Sequence, residues 1–151
     1  MGKGEKTIAA NRKARFDYQL LDRYEAGLAL VGTEVKALRE GRCNLSDGYV
    51  EVRNGEAWLV DVNISHYSHG NIANHEPKRR RKLLLHKREI KKLQTKIDER
   101  GLTCVPLRLY FTEGKAKVEI ALARGKDRGD KRETIRRRQE EREMKRELKY
   151  R

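Results

Sequence analysis

Cysteine, proline and tryptophan are scarce here, at two, two and one in 151 residues, and each scarcity narrows the reading. Cys43 and Cys104 lie far apart with no metal-like spacing, so they read as ordinary thiols in a reducing compartment, the cytosol by default. No run of 18 apolar residues occurs, which predicts no membrane span. The N-terminus, MGKGEKTIAANRKAR, lacks the apolar core of a secretory leader. Hydrophobic residues make up 36% of the chain, below the roughly 45–50% usual in globular proteins.

What the chain has in abundance is charge. Charged residues are 40% of it, with 37 Lys or Arg against 23 Asp or Glu, giving +14 net. A compact body of that charge repels itself and attracts polyanions, nucleic acid foremost. The bland alternative is a basic but merely solvated surface. The positive residues form three clusters: Arg12, Lys13 and Arg15; Lys78 to Lys82; and the C-terminal tail. Guanidinium and ammonium groups suit phosphate, and each such contact displaces condensed counterions. Phe16, Tyr18, Tyr24, Tyr49 and Tyr67 offer stacking faces for bases, although these rings, and Trp58 with them, serve equally well as core.

Catalytic and metal chemistry find little support. No Gly-rich phosphate loop precedes a Lys-Ser or Lys-Thr pair. Glu34 and Asp47 have no evident partner motif, and Cys43 has no paired histidine in sequence. His66, His69 and His75 cluster, but their spacing matches no common zinc pattern. No metal, no cofactor and no reaction are expected.

The patterning predicts strands and hairpins more than helices. Residues 1–14 read as a mobile basic arm. Strand-like sequence follows from Phe16 to Gly32, then a short helix over TEVKALREG. Around Asn54-Gly55, Val50 and Val52 on one side and Trp58, Val60, Val62 and Ile64 on the other alternate as a hairpin. Residues 65–82 read as a long loop. A helix is expected from Leu83, with Ile90, Leu93 and Ile97 on its stripe and Gly101 as its stop. Val105, Leu107, Leu109 and Phe111 share one parity, as do Val118, Ile120 and Leu122, around a turn at Thr112-Glu113-Gly114. Pro106 implies an edge or a bulge. The expected fold is mainly β: a small antiparallel barrel with two or three short helices over residues 15–124, closure removing exposed edges. Periodicity alone does not distinguish an oligonucleotide-binding barrel from other small β folds.

Several longer motifs resemble one family. Gly32-Thr33-Glu34-Val35-Lys36-Ala37-Leu38-Arg39 is similar to its signature helix. Asn74-His75-x-Pro77-x-Arg79-x-Arg81-Lys82-Leu83-Leu84-Leu85-His86 matches a second motif, and Val105-Pro106-Leu107, Leu109-Tyr110-Phe111 and Lys117-Val118-Glu119 match its last hairpin. The likeness, to the SsrA-binding (small protein B) family, runs from Asn11 to Arg132. It implies an oligonucleotide-binding (OB-fold) barrel that binds the tRNA-like domain of transfer-messenger RNA and accompanies it into stalled ribosomes, where the nascent chain is tagged for degradation. A monomer with three partners is implied: that RNA, the small ribosomal subunit with its 16S rRNA, and elongation factor Tu in the delivery complex.

The resemblance carries RNA contacts onto Asn11, Glu25 and Lys117, with support from Arg12, Lys13, Arg15, Lys36 and Arg39, and from Arg79, Arg81 and Lys82. A lone reading of Glu25 favours an ion pair with a neighbouring Arg; the resemblance favours a carboxylate accepting from base edges. The tail, residues 125–151, carries 12 basic and 7 acidic residues. Its composition predicts disorder in solution. The resemblance predicts helix in the decoding centre and message channel, with ribosome contacts at Gly125, Lys126, Asp130, Lys131 and Arg132. Asp127 and Gly129 depart from the family pattern, Gly129 standing where an aromatic ring is usual. Pairs such as Glu133 with Arg137 and Glu141 with Lys145 add only about 0.2–0.5 kcal/mol each to such a helix. Two other readings compete: a ribosomal or ribosome-assembly protein, and a nucleic-acid-modifying enzyme.

Overall fold

A computed structural model of the chain describes residues 5–68, 74–125 and 142. Nine strands and three helices follow in the order β1 (Lys6–Ala10), α1 (Arg12–Asp17), β2 (Tyr18–Leu28), α2 (Gly32–Arg39), β3 (Cys43–Asn44), β4 (Tyr49–Arg53), β5 (Glu56–Val60), β6 (Asn63–Ile64), β7 (Arg81–Leu84), α3 (Lys87–Arg100), β8 (Thr103–Thr112) and β9 (Lys115–Gly125) among the described residues. Seven strands form one antiparallel sheet in the order β1-β8-β9-β2-β7-β5-β4, and β3 pairs with β6 in a small ribbon. β4, last in the sheet, curls back against β8, so the sheet wraps around a core as an OB-like barrel.

Both hairpins form where turn chemistry demands them. Asn54 and Gly55 take φ of 54° and 76°, and Glu113 and Gly114 take 50° and 74°. Paired positive-φ positions match the twist of the flanking strands, and glycine accepts them without strain. Gly101 caps α3 in the left-handed conformation at φ 64°.

The core holds Leu28, Leu38, Leu45, Leu59, Ile64, Leu83, Leu93, Leu109, Val118, Ile120 and Leu122, all buried. A second cluster lies on the outer side of the sheet. There Val105, Leu107, Ala121 and Ala123 meet Ala14 of α1, with Tyr18 and Leu20 beside them. The single parity read for Val105 through Phe111 is thus split. The β8–β9 register shifts between Pro106 and Arg108, inserting one residue, so Val105 and Leu107 face α1 while Leu109 faces the barrel interior. A bulge changes which face every later side chain meets. Pro106 sits at this bulge, as its missing N–H requires.

Three further expectations are corrected. Residues 6–10, placed within a mobile arm, form β1 and pair with β8. The expected helix from Leu83 begins four residues later. β7 takes Leu83 inward by alternation, and His86 caps α3, its amide donating to Glu89 at 3.1 Å. Trp58 faces outward, while Ala57 and Leu59 are fully buried. The regular alternation from Trp58 to Ile64 is broken by Asp61, whose φ of 58° ends β5 and resets the side-chain faces.

Candidate nucleic-acid interface

Strand alternation sorts the predicted site residues. On β9, Ala123, Ala121, Glu119 and Lys117 point outward in succession; the two alanines lie under α1 and the last two are half-buried. Glu25 pairs with Glu119, and Gly27 stands between Lys117 on one side and Leu84 on the other. Glu25, Lys117 and Leu84 are therefore neighbours on one outer face. At one end of that face lies α1, with Arg12, Lys13 and Arg15 exposed. β7 carries Lys82 outward beside Leu84.

The carboxylate of Glu25 does not stand alone. Tyr110, 2% exposed, donates its hydroxyl to Glu25 Oε2. The guanidinium of Arg108 stacks 4.0 Å from the Tyr110 ring centre, and reaches Glu5 at 3.0 Å and Glu119 at 3.7 Å. Arg23 meets Glu119 at 3.7 Å. Burial, with Glu25 beside it, pushes the Tyr110 hydroxyl well above its usual range, so it stays a donor at neutral pH. The hydroxyl positions the Glu25 side chain, and carboxylate oxygens are acceptors suited to N–H groups on base edges. Sequence reading missed Tyr110 and Arg108; the signal was an aromatic and a cation on the outward parity of a hairpin opposite Lys117.

Leu84 was also missed. It is 54% exposed, unusual for a leucine inside a strand, and lies over Gly27. A Cβ at Gly27 would meet Leu84 Cβ at 3.2 Å, so glycine lets the leucine lie flat across β2. An apolar platform beside Lys117 and Glu25 suits the face of a base or ribose.

Three predicted contact residues are used otherwise. Asn11 is 3% exposed. Its Nδ2 donates to Pro106 O at 2.9 Å and Leu45 O at 3.3 Å, while Oδ1 accepts from Ala14 N at 3.1 Å. It caps α1 and ties it to β8, and its polar atoms are occupied. Arg81 is 0% exposed. Its Nε lies 2.5 Å from Glu34 Oε2, Nη1 donates to Val62 O at 2.8 Å, and Nη2 donates to Pro77 O at 3.0 Å. Alternation on β7 turns Arg81 inward, where Glu34 waits; no face is left for phosphate. Arg79 joins the same pair, Nη2 lying 2.6 Å from Glu34 Oε1, and remains half-buried.

Glu34, unpartnered in sequence, is thus the centre of a buried ion network. Burial pushes its carboxyl up, but hydrogen bonds from Arg79, the Val31 amide and Arg81 outweigh this and hold it below its ordinary value. It also caps α2, accepting from Val31 N at 2.9 Å. Lys36 and Arg39 project from that helix, Lys36 lying 5.5 Å from the Tyr67 ring centre. His75 is buried, with Nδ1 at 2.9 Å from Thr33 Oγ1 and Nε2 at 2.7 Å from Ile64 O, so both ring nitrogens are engaged. Burial pushes the Cys43 thiol up to about 11 and the Cys104 thiol up to about 12, so neither is a ready nucleophile. His69 lies outside the described residues.

Of the predicted tail contacts, Gly125 ends β9, paired with Tyr18. Lys126, Asp130, Lys131 and Arg132 lie outside the described residues, as do Asp127 and Gly129. Arg142 Nη1 donates to the Tyr18 hydroxyl at 3.3 Å. Among the described residues no helix is long and apolar enough to cross a membrane.

An antiparallel OB-like barrel with a basic helix, a held carboxylate and an apolar platform on one outer face defines a class: a small basic barrel built for nucleic acid. Residues 8–150 match the family described as "SmpB protein". An SsrA-binding protein from Trichodesmium erythraeum is 58% identical over 98% of this chain and 96% of its own length. One from Streptomyces coelicolor is 59% identical over 95% of this chain and 91% of its own. A solved chain described as "tmRNA-SmpB: a journey to the center of the bacterial ribosome" superposes at TM-score 0.69, with 48% identity, covering 85% of this chain and 94% of that one. The chain belongs to the SmpB family of SsrA-binding proteins.

Proposed function

We propose that the protein is the RNA-binding adaptor of trans-translation. It binds the tRNA-like domain of transfer-messenger RNA and delivers it to stalled ribosomes in the cytoplasm, acting as a monomer without a reaction of its own, with elongation factor Tu in the delivery complex. The observation that carries this reading is the one outer face on which Lys117, Glu25, Leu84 and the exposed basic residues of α1 stand together. The SsrA-binding relatives and the neighbour described as tmRNA-SmpB support it.

Each group has its part. Arg12, Lys13, Arg15, Lys82 and Lys117 neutralise phosphates; Lys36 and Arg39 extend the positive surface over α2. Glu25, aimed by Tyr110, accepts hydrogen bonds from exposed bases. Leu84 packs on a base or ribose. Asn11, Arg79 and Arg81 act one step back, fixing α1, α2 and β7. The tail from Gly125 onward, including Lys126, Asp130, Lys131 and Arg132, folds as helix in the decoding centre and message channel, where rRNA supplies partners for its charges.

Truncation after Gly125 separates the two roles. The truncated protein is expected to bind a transcript of the tRNA-like domain as the full chain does, and to lose tagging in a reconstituted translation reaction with a message lacking a stop codon. Normal tagging by the truncated protein, or loss of RNA binding by it, would contradict this division of labour.

A further inference from the structure

The outer face does not stop at Lys82. Trp58 pairs directly with Lys82 across β5 and β7, and Glu51 pairs with Trp58 across β4 and β5. Beyond them the hairpin tip closes an open pocket of about 250 Å³ lined by Arg53, Asn54, Glu56, Trp58 and Arg80. This is smaller than the about 300–1,000 Å³ typical of pockets that enclose drug-sized ligands. It suits one flat ring system rather than a whole cofactor.

Its chemistry is that of a nucleotide. Trp58 offers a broad, half-exposed ring on a strand, a position that holds its orientation. Arg80 and Arg53 flank it, both exposed, and both are tethered to one carboxylate: Arg80 lies 2.6 Å and Arg53 3.7 Å from Glu51. Glu56, paired with Lys82 at 2.5 Å, adds an acceptor on the rim. A π face for stacking, guanidinium groups for phosphate and a carboxylate for base N–H donors are the three elements of single-stranded RNA recognition. Arginine suits phosphate through its planar fork, and tryptophan is the ring that attracts a cation most strongly. None of this is needed for the core, since Ala57, Leu59 and Leu83 fill it from the opposite side of the same strands.

We infer that this pocket is a second RNA subsite: an unpaired base stacks on Trp58 while its phosphate is held between Arg53 and Arg80. The inference rests on the RNA-binding reading above and extends it, making the interface one continuous track from α1 across Lys117, Leu84 and Lys82 to the β4–β5 hairpin. The bound RNA then presents a base that is unpaired or leaves its stack at the far end of the track.

Trp58 is the chain's one tryptophan, so its fluorescence reports the pocket directly. The full-length protein is titrated with a transcript of the tRNA-like domain, following Trp58 emission, acrylamide quenching and filter binding together. Stacking predicts emission quenched, and acrylamide access reduced, at the concentrations where the RNA is retained on the filter. Trp58→Leu is expected to weaken retention about 5- to 150-fold, the effect of losing one stacked base. Trp58→Phe should restore most of it, and Arg53→Ala should weaken binding with a smaller salt dependence. RNA retained at unchanged affinity by Trp58→Leu, or retained by the wild type with Trp58 unaltered, overturns the subsite and leaves the adaptor reading standing. Failure of the wild type to retain the RNA overturns both.

Discussion

The Nε of Arg81 lies 2.5 Å from Oε2 of Glu34, and both side chains are fully buried. The pair joins α2 to β7 across a sequence separation of 47 residues. Arg79 and the carbonyls of Val62 and Pro77 complete the shell. Such a pair is costly to desolvate and still more costly to break. Its value here is positional. It pins the start of β7, and β7 carries Leu84 and Lys82 to the outer face.

Breaking the pair from one side should therefore unbalance the fold. Glu34→Gln leaves Arg81 as a buried, uncompensated cation, and a loss of about 3–5 kcal/mol is expected. The double variant Glu34→Leu with Arg81→Met should be less damaged than the sum of its parts. Urea denaturation of Glu34→Leu, Arg81→Met, the double variant and the wild type checks this; strict additivity would show that the two side chains do not interact.

The same carboxylate sets an acid limit. Its folded pKa lies below its ordinary value near 4.5, so its contribution to stability is complete above that value and is lost as pH falls through the folded pKa. Asp22, itself exposed and held low by half-buried Lys96, acts with the same sign but is open to screening by salt. The urea midpoint should hold steady down to about pH 5 and fall below it. In Glu34→Gln the acid fall should be shallower. Parallel curves for the two proteins would place the acid sensitivity elsewhere.

Asn11 is expected to behave as a structural residue. Asn11→Ala removes the α1 cap and strands the carbonyls of Pro106 and Leu45, costing about 1–3 kcal/mol. Asn11→Asp keeps the acceptor for Ala14 N, loses the donor, and should recover only part. Thermal unfolding resolves the order. RNA binding by the folded fraction should drop only as far as α1 loses its place, and a large drop in a fully stable Asn11→Ala protein would make Asn11 a direct contact.

Lys117 and Glu25 should fail in different ways. Lys117→Ala removes one phosphate contact, lowering affinity and reducing the slope of log affinity against log salt by about 0.9. Glu25→Ala should lower affinity with that slope unreduced, because it removes hydrogen bonds to bases and frees no counterions. Tyr110→Phe should reproduce part of the Glu25→Ala loss by releasing the carboxylate. Filter binding across a salt series distinguishes the two patterns; identical slopes for Lys117→Ala and the wild type would remove Lys117 from the phosphate contacts.

Much of this was legible in the chain before any coordinates. Asn54-Gly55 and Glu113-Gly114 announced both hairpins, because few dipeptides tolerate two positive φ angles. The stripe of Ile90, Leu93 and Ile97 with Gly101 announced α3, and the charge announced a polyanionic partner. These are local properties, written in adjacent residues or in simple sums. The face on which a side chain lands is not local. One inserted residue at Pro106 exchanged the faces of Val105 and Leu107 with that of Leu109, and one positive φ at Asp61 broke the alternation that would have put Trp58 on the same face as buried Val62 and Ile64. A run of basic residues from Lys78 to Lys82 looks uniform as sequence, yet strand alternation buried Arg81 against Glu34 and exposed Lys82. The sequence by itself determined that the protein is a basic barrel. Only tertiary structure decided which cations face solvent, because pairing register and bulges, set by contacts distant in sequence, choose between the two sides of every strand.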